Sequence, residues 1–399
     1  MNMAIFKNEK ALMPDYVPEK LPFRDEQLRM LQAYFGSFIK EPGSMYVKAI
    51  MVGRSGSGKT VTSRKFGSYV KMASKGSVDY VHISCALHRT PFSVLKSIGL
   101  SLNLPIPRRG FSSEELLELI IDKVAEKNKY AVIVLDDVFY LFNYGGPDSI
   151  DALVRLGEEY YDKNYRFSLL LVSQSKSFMD QLNKGVKSSL GNAIIEFPPY
   201  TKDQIFEILL NRAQEALNDA AYTEEILEMI SDVAGVDLDN PNQSTIRGDA
   251  RYALDILWRA SKLAEVSGAT HISPSHIREA VMQTLHGVRE DELMGLPLHE
   301  KLLLLAIVNR LMRESETPYI SIGDAESEYE MVCEQYGQEP RKHTQLWEYV
   351  KDMASRGILE TRLSGKGMRG RTTFISIPTE PLETMRQSLN SMIRRDLGD

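Results

Sequence analysis

The residues best suited to chemistry in this sequence stand in one short run, Gly53-Arg54-Ser55-Gly56-Ser57-Gly58-Lys59-Thr60. Its spacing is G-x-x-x-x-G-K-[ST], that of a phosphate-binding loop. Glycines there let backbone N–H groups close around phosphate oxygens at a helix N-terminus, whose partial positive charge adds to theirs. Lys59 would then reach the terminal phosphates, and Thr60 would offer a hydroxyl to a magnesium ion. The alternative is a glycine-rich turn that binds nothing. The context favours the phosphate loop, because a strand is predicted over Val47–Val52 and a helix over Val61–Lys71.

A phosphate loop needs a carboxylate to order its magnesium. Val132-Ile133-Val134-Leu135-Asp136-Asp137 supplies one at the end of an apolar run, where ligands meet parallel sheets. Asp136 is the magnesium candidate. Asp137 occupies the place of a base that orients the attacking water, usually a glutamate, and its arm is one methylene shorter. A pair of surface carboxylates is the other reading. Leu169-Leu170-Leu171-Val172-Ser173-Gln174 is a further apolar run ending in polar groups that can face a γ-phosphate or a water. Gly248-Asp249-Ala250-Arg251 opens a helix and presents Arg251, which by itself also fits a solvated helix arginine.

The elements that must hold these groups follow from periodicity. Short apolar runs at Val47–Val52, Tyr80–Ser84, Ala131–Leu135 and Ser168–Val172 alternate with helical stretches, the pattern of an α/β fold with a buried parallel sheet. A helix is predicted from about Arg24 to Ile39, ahead of the sheet. After Ile194–Phe197, Thr201 to Gln204 has capping-box spacing, and the chain then reads as helical to about Gly287. Beyond Gly295-Leu296-Pro297 come helices at about 298–313, 323–336 and 341–356, with Gly357 at a C-cap position. Strands Ile358–Leu363 and Arg371–Ile377 flank a glycine-rich basic tip. Three helices and a hairpin suggest a winged helix.

Composition bounds the function. The 399 residues, 43% hydrophobic and 26% charged, describe a globular chain of about two or three domains. A net charge of −6 excludes a wholesale basic coat, so any nucleic-acid contact is local. Two distant cysteines, with no CxxC and no HExxH, indicate neither a disulfide framework nor structural zinc and fit a reducing, cytoplasmic setting. The longest uncharged apolar run, Leu302–Val308, is far below the ~20 residues of a bilayer span, and no signal-peptide core is evident. A soluble, unexported protein without a membrane partner is expected.

The ordered set Gly53–Thr60, Asp136-Asp137, Ser173-Gln174 and Gly248-Asp249-Ala250-Arg251, followed by a helix-rich terminus with a basic wing, resembles the AAA+ replication initiators of archaea. These are relatives of the origin-recognition and cell-division-control proteins. Pro14-Asp15-Tyr16-Val17-Pro18 and Pro22-Phe23-Arg24 resemble the family's N-terminal adenine-contacting segment, and Phe197-Pro198-Pro199-Tyr200 its approach to the lid. Leu296-Pro297-Leu298-His299-Glu300-Lys301 resembles the start of its winged helix. The resemblance implies an AAA+ core over 1–198 with an insertion at about 85–115, a helical lid over 199–292 and a winged helix over 293–399. It implies ATP or ADP with Mg²⁺, held by Val17, Arg24, Gly53, Ser55, Gly56, Ser57, Gly58, Lys59, Thr60 and Val61. Tyr200 and Arg212 would come close from the lid, with Arg251 as second sensor. Read alone, Tyr200 and Arg212 fit a packing aromatic and a solvated helix charge.

Three departures from the family matter. Asp137 stands for the usual glutamate, Gln174 for an asparagine at the first sensor, and Ser189 for an arginine that would act on a neighbouring subunit's nucleotide. Such an arginine is worth ~10³–10⁵ in rate, so tight nucleotide binding with slow turnover is expected. Lys184 or Lys187 could stand in, without the planar fork of a guanidinium.

Two windows lack acids altogether. Tyr80 to Ser113 runs 34 residues without Asp or Glu and includes Arg89, Lys96, Arg108 and Arg109. The chain average would place about four or five acids in such a window. The window coincides with the family's DNA-contacting insertion, and an apolar packing hairpin fits it equally well. Thr361 to Thr379 holds Arg362, Lys366, Arg369 and Arg371 around the hairpin tip. On the preceding helix Leu346, Val350 and Met353 have core spacing, which leaves Lys342, His343 and Gln345 for a major groove. A protein-binding winged helix is the alternative. The resemblance implies double-stranded origin DNA as ligand, with a paralogous initiator and the replicative helicase as partners. Rival functions are a clamp-loader or helicase-loader ATPase and a regulatory, non-catalytic paralogue.

Overall fold

The structure is a computed structural model. It describes residues 4–106, 110–145, 149–151, 153–154, 165–174, 184–191, 193–236, 248–284, 293–313, 319–355, 358–363, 373–377 and 382–397. The chain divides into two compact units, one of Asn8–Glu215 with Gly248–Arg251 and one of Met1–Lys7, Ala216–Arg247 and Tyr252–Asp399.

In the first unit, five strands form a parallel sheet: β1 (Lys48–Val52), β2 (Val78–Ser84), β3 (Tyr130–Asp136), β4 (Phe167–Ser173) and β5 (Ile194–Glu196), in the order β2-β3-β4-β1-β5. The apolar runs of β1, β3 and β4 are continuous because both faces there are covered. Ile50, Ile133, Leu135, Leu169 and Leu171 join one core, and Ala49, Met51, Val132, Val134, Leu170 and Val172 the other. Helix α1 (Asp25–Lys40) brings Leu31, Phe35 and Phe38 to the second core, together with Phe66 and Val70 of α2 (Lys59–Ala73). The first core takes α3 (Pro91–Ser101), α4 (Ser113–Glu126) and α5 (Val138–Gly145). Val94, Leu95 and Ile98 of α3, inside the acid-free window, are buried together with Leu116, Ile120 and Val124 of α4, which follows it.

Register places the chemistry at one edge. Val52 is opposite Ser173 and Ser84 opposite Asp136, so the carboxyl ends of β1, β2, β3 and β4 finish together. Parallel strands followed by helices collect ligand groups at that edge. Past the sheet come α6 (Lys184–Leu190) and α7 (Lys202–Ala216), and α7 opens with the expected capping box: Gln204 N–H donates to Thr201 Oγ1 and Thr201 N–H to Gln204 Oε1.

The second unit carries α8 (Glu224–Ala234), most of α9 (Ala250–Val266) and α10 (Pro274–Thr284), then α11 (Leu298–Arg313), α12 (Ile322–Gln335), α13 (His343–Ser355) and α14 (Leu382–Leu397). Between α13 and α14, β7 (Glu360–Leu363) pairs antiparallel with β8 (Thr373–Ser376). The wing sheet has a third member that the sequence reading does not place, β6 (Ile320–Ser321), paired with β8. A strand of two residues is too short to show an alternating pattern. Helix α14 is likewise additional to the expected three-helix-plus-hairpin plan. Its Met385, Leu389, Met392 and Ile393 enter the core of the winged helix, and Asp396 pairs with buried Lys301 of α11 at 2.5 Å. Gly357 and the basic hairpin tip lie outside the described residues.

Tyr329 of α12 ties this domain together. Its hydroxyl lies 2.7 Å from His299 Nδ1 of α11 and accepts the Arg341 N–H just before α13. With Tyr329 donating, His299 is the acceptor. Burial, assisted by the Arg341 charge, lowers the His299 pKa below its ordinary 6.5. The unfolded chain therefore takes up the proton first, and the stability this residue contributes is present above pH ~6.5 and lost as pH falls below it. His299→Gln keeps an acceptor without titrating, so its melting temperature should fall less steeply than that of the wild type between pH 7 and 5, measured by thermal denaturation.

Candidate nucleotide site and nucleic-acid interface

The Gly53–Thr60 loop connects β1 to the first turn of α2, which starts at Lys59, two residues earlier than predicted. Two of its glycines have backbone angles that L side chains rarely adopt, φ +68° at Gly56 and +88° at Gly58. Neighbours also press on them. A Cβ on Gly56 would lie 1.8 Å from Asp249 Oδ1, and one on Gly58 2.6 Å from the Tyr200 hydroxyl. A Cβ on Gly53 would lie 2.4 Å from the Phe197 carbonyl oxygen. Ala250 N–H also donates to the Gly56 carbonyl, so the Gly248–Arg251 segment is seated directly on the loop.

Lys59 is buried at 6% exposure, and its ammonium donates to the carbonyls of Gly53 (2.6 Å) and Arg54 (2.8 Å). Burial pushes its pKa down to about 8, against the opposing pull of Asp137 and Asp136. Asp136 closes β3. Its Oδ1 accepts the Asp137 N–H and its Oδ2 lies 3.1 Å from His82 Nε2, while the Thr60 hydroxyl bonds to the same carboxylate. Burial works to raise the Asp136 pKa, and the hydrogen bonds from His82 and Thr60 with the charges of His82 and Lys59 outweigh it, holding the carboxyl below its usual range. Asp137 has φ +54°, a left-handed conformation that Asp tolerates better than most residues. Burial and the neighbouring Asp136 charge raise its pKa, and Gln174 hydrogen-bonds to it. Arg251, exposed at the start of α9, lies near enough for its charge to act on both Lys59 and Asp137. The structure thus gathers Lys59, Thr60, Asp136, Asp137, Gln174 and Arg251 from four segments.

Arg24 has a task that the sequence reading does not give it. Only 2% exposed, it donates through Nε to the Ser57 carbonyl (2.9 Å), through Nη2 to Pro198 (2.8 Å) and through Nη1 to Phe23 (2.8 Å). Its guanidinium lies 3.8 Å from the Tyr200 ring centroid and 5.5 Å from that of Phe197. The side chain braces the loop against the segment after β5, and Tyr200 packs on Arg24 and against Gly58. Val17 is half-buried beside Tyr16, whose hydroxyl donates to Glu215 Oε2 and whose ring lies 4.6 Å from the Arg212 guanidinium. Arg212 is 6% exposed, and its Nη1 has no hydrogen-bond partner among the described residues; the same holds for Ser57 Oγ. Ser55 and Val61 are half-buried.

Family models match most of the chain: an AAA domain over residues 49–182, a Cdc6 AAA+ ATPase-type lid domain over 206–282, and the CDC6 C-terminal winged helix domain over 291–387. An ORC1-type DNA replication protein 2 from Sulfurisphaera tokodaii is 34% identical over 397 residues, covering 98% of this chain and 93% of that one. The chain belongs to the Cdc6/ORC1-type family of DNA replication proteins. Among solved structures it resembles Cdc6p from Pyrobaculum aerophilum, with 41% identity, a TM-score of 0.66 and coverage of 99% of this chain and 100% of that one. It also resembles the Aeropyrum pernix ORC1 protein in complex with DNA, with 26% identity, a TM-score of 0.72 and coverage of 100% and 98%. The α/β core, lid and winged helix expected from the sequence are those of this family.

On the nucleic-acid side the description is partial. Lys342, His343 and Gln345 are exposed around the start of α13, whose Leu346, Val350 and Met353 are buried as predicted. His343 is not free, since its Nδ1 lies 2.7 Å from Glu326 Oε2 of α12. Arg362 lies within β7, and Arg108, Arg109, Lys366, Arg369 and Arg371 are outside the described residues. No described helix is long and apolar enough to cross a membrane, and no cluster of three or more His, Cys, Asp or Glu that could hold a metal occurs among the described residues.

Replacing Arg24 by Ala strips donors from buried backbone carbonyls, each costing about 1–3 kcal/mol. Arg24→Ala should therefore lose at least ~3 kcal/mol of stability in urea unfolding. Arg24→Lys should restore little of it, because an ammonium cannot serve three diverging acceptors as a planar fork does.

Proposed function

We propose that this chain is a replication initiator whose AAA+ core binds ATP or ADP as a slow-turnover switch controlling its grip on origin DNA. The observation that carries the reading is the convergence of Lys59, Thr60, Asp136, Asp137, Gln174 and Arg251 on the glycine loop at the carboxyl edge of the sheet. The residues present fit a magnesium nucleotide. Ser57 Oγ is a buried polar atom without a partner among the described residues, and the Lys59 ammonium is buried against two carbonyls. Such groups gain from an anion that fills the loop. When bound, the nucleotide would bring the polyphosphate charge and its magnesium the cation that neutralises it.

In this reading the loop N–H groups and Lys59 hold the phosphates, Thr60 and Asp136 hold the magnesium, and Arg212 with the Tyr16–Val17 segment lies toward the base. Arg251 joins the terminal phosphate to the helix that it opens, which is how phosphate state would be read outside the core. Asp137 and Gln174 orient water. The Asp137 arm, one methylene shorter than the usual glutamate, orients an attacking water less well, and Ser189 stands where the family carries an arginine; both favour a switch over a motor. The same features favour, as a second reading, a regulatory paralogue that competes with an active initiator. DNA would be held by Lys342, His343 and Gln345 of α13, by Arg362, Lys366, Arg369 and Arg371 of the wing, and by Arg108 and Arg109 of the insertion. Contacts at two separate places make bending or underwinding of the duplex part of the proposal. The bound initiator would recruit or load the replicative helicase beside a paralogous initiator.

Footprinting on chromosomal DNA with ATP and ADP in parallel tests the switch: origin-specific protection that changes with nucleotide is expected, and an absence of specific protection would favour the competing paralogue. Lys59→Ala should abolish nucleotide binding, so nucleotide retained through purification of that variant would contradict the site assignment. Arg369→Glu should weaken duplex binding and reduce the slope of log affinity against log salt by about one. A variant unchanged in both would remove the wing from the interface.

A further inference from the structure

Strand β2, at the edge of the sheet, buries Val81 and Ile83, while its alternate positions Tyr80, His82 and Ser84 are polar and half-buried, and no step described so far uses them. His82 stands beside Val134 in the register of β2 with β3, two residues before Asp136. Its side chain reaches along the sheet to the carboxylate, with Nε2 3.1 Å from Asp136 Oδ2 and side-chain exposures of 16% and 7%.

The ring is held from the other side as well. Nδ1 lies 3.4 Å from Ser63 Oγ and 3.3 Å from the Tyr80 hydroxyl. Both hydroxyls give their protons to the backbone of α2, Ser63 Oγ to the Thr60 carbonyl (2.9 Å) and the Tyr80 hydroxyl to the Ser63 carbonyl (2.6 Å). Tyr80 can lie this close because α2 has glycine there: a Cβ on Gly67 would sit 2.5 Å from the Tyr80 ring. The His82 ring is thus fixed between the helix that carries Lys59 and Thr60 and the strand that carries Asp136.

We propose that His82 is a positioning residue for the magnesium nucleotide and acts through Asp136. An ionised carboxylate on a strand end can rotate about its last bond, and a cation site needs one orientation. Here Oδ2 is held by the His82 N–H and Oδ1 by the Asp137 N–H, so the carboxylate plane is locked from both sides while the Thr60 hydroxyl stays in contact with it. Partners that fix a metal-bearing carboxylate in this way typically account for 10–100-fold in metal affinity. The proposal rests on the nucleotide reading above, and it adds a residue outside the loop, sensor and carboxylate motifs.

The test is calorimetric titration of the full chain with ADP, in EDTA and at graded Mg²⁺. Wild type should bind ADP more tightly as Mg²⁺ is added. His82→Ala should keep its affinity in EDTA within about twofold while its half-saturating Mg²⁺ concentration rises roughly tenfold. His82→Gln places a side-chain N–H near the position of Nε2 and should recover most of the loss. Two results would overturn the proposal: an unchanged Mg²⁺ requirement in His82→Ala, or equal losses with and without Mg²⁺, which would mark a packing role. If His82→Ala fails to fold, His82→Gln decides, because only a lost N–H donor predicts a near-normal Mg²⁺ requirement there and a raised one in His82→Leu. A wild-type chain that binds no ADP under either condition would instead overturn the nucleotide reading itself.

Discussion

A lysine ammonium held out of water at the end of a parallel sheet is the constraint on which the rest of this site depends. Burial disfavours the charge on Lys59 strongly enough to bring its pKa to about 8, and two carbonyls with the nearby Asp137, Asp136 and Asp249 oppose that cost. A position of this kind persists when something else uses the charge. It accounts for the concentration of ionisable groups at this one edge: Asp136 with its pKa lowered, Asp137 with its pKa raised, and Arg251 within electrostatic reach of both Lys59 and Asp137. Two adjacent carboxyls with pKa values driven in opposite directions can take different roles, one as a fixed anion and one as a weak base.

Holding the loop in this form requires that backbones approach one another closely. The glycines at 53, 56 and 58 meet Phe197, Asp249 and Tyr200, residues brought from the segment after β5 and from the turn before α9. Arg24 adds a third anchor from the N-terminal segment, satisfying carbonyls that would otherwise be buried without donors. The phosphate loop is therefore part of a packed junction of four chain segments. This is also why the segment opening α9 groups with the core, although most of that helix belongs to the other compact unit.

The winged helix is organised differently, around an apolar core with one polar hub. Tyr329 links α11, α12 and the turn before α13, so the exposed Lys342, His343 and Gln345 stand on a helix whose start is anchored by a neutral histidine and a tyrosine. The net charge of −6 is compatible with DNA binding because acids are excluded from two windows and abundant elsewhere, including the outer positions of α12 such as Glu330 and Glu334. Such a distribution favours site-limited contact over coating.

Much of this was legible in the sequence, for reasons that are local. The strand-loop-helix context of Gly53–Thr60, the buried runs ending in Asp136 and Gln174, the Thr201–Gln204 cap and the core spacing of α13 are each set by residues within a few positions of one another, and all four recur in the structure. The two-residue β6 and the last helix were missed, the first because so short a strand carries no pattern. What only the tertiary structure decided involves residues far apart in the chain. Arg24 reads in the sequence as a nucleotide contact, and only the fold adds its bracing role, by bringing the Ser57 and Pro198 carbonyls to it across 33 and 174 positions. His82 reads as an unremarkable strand histidine until β2 is registered against β3, which sets its Nε2 against Asp136 across 54 positions. The sequence alone determined which groups could bind a phosphate and on which elements they would sit. The fold decided which side chains hold those groups in place, because a hydrogen bond reaches only about 3 Å and no spacing along the chain encodes that distance between separate elements.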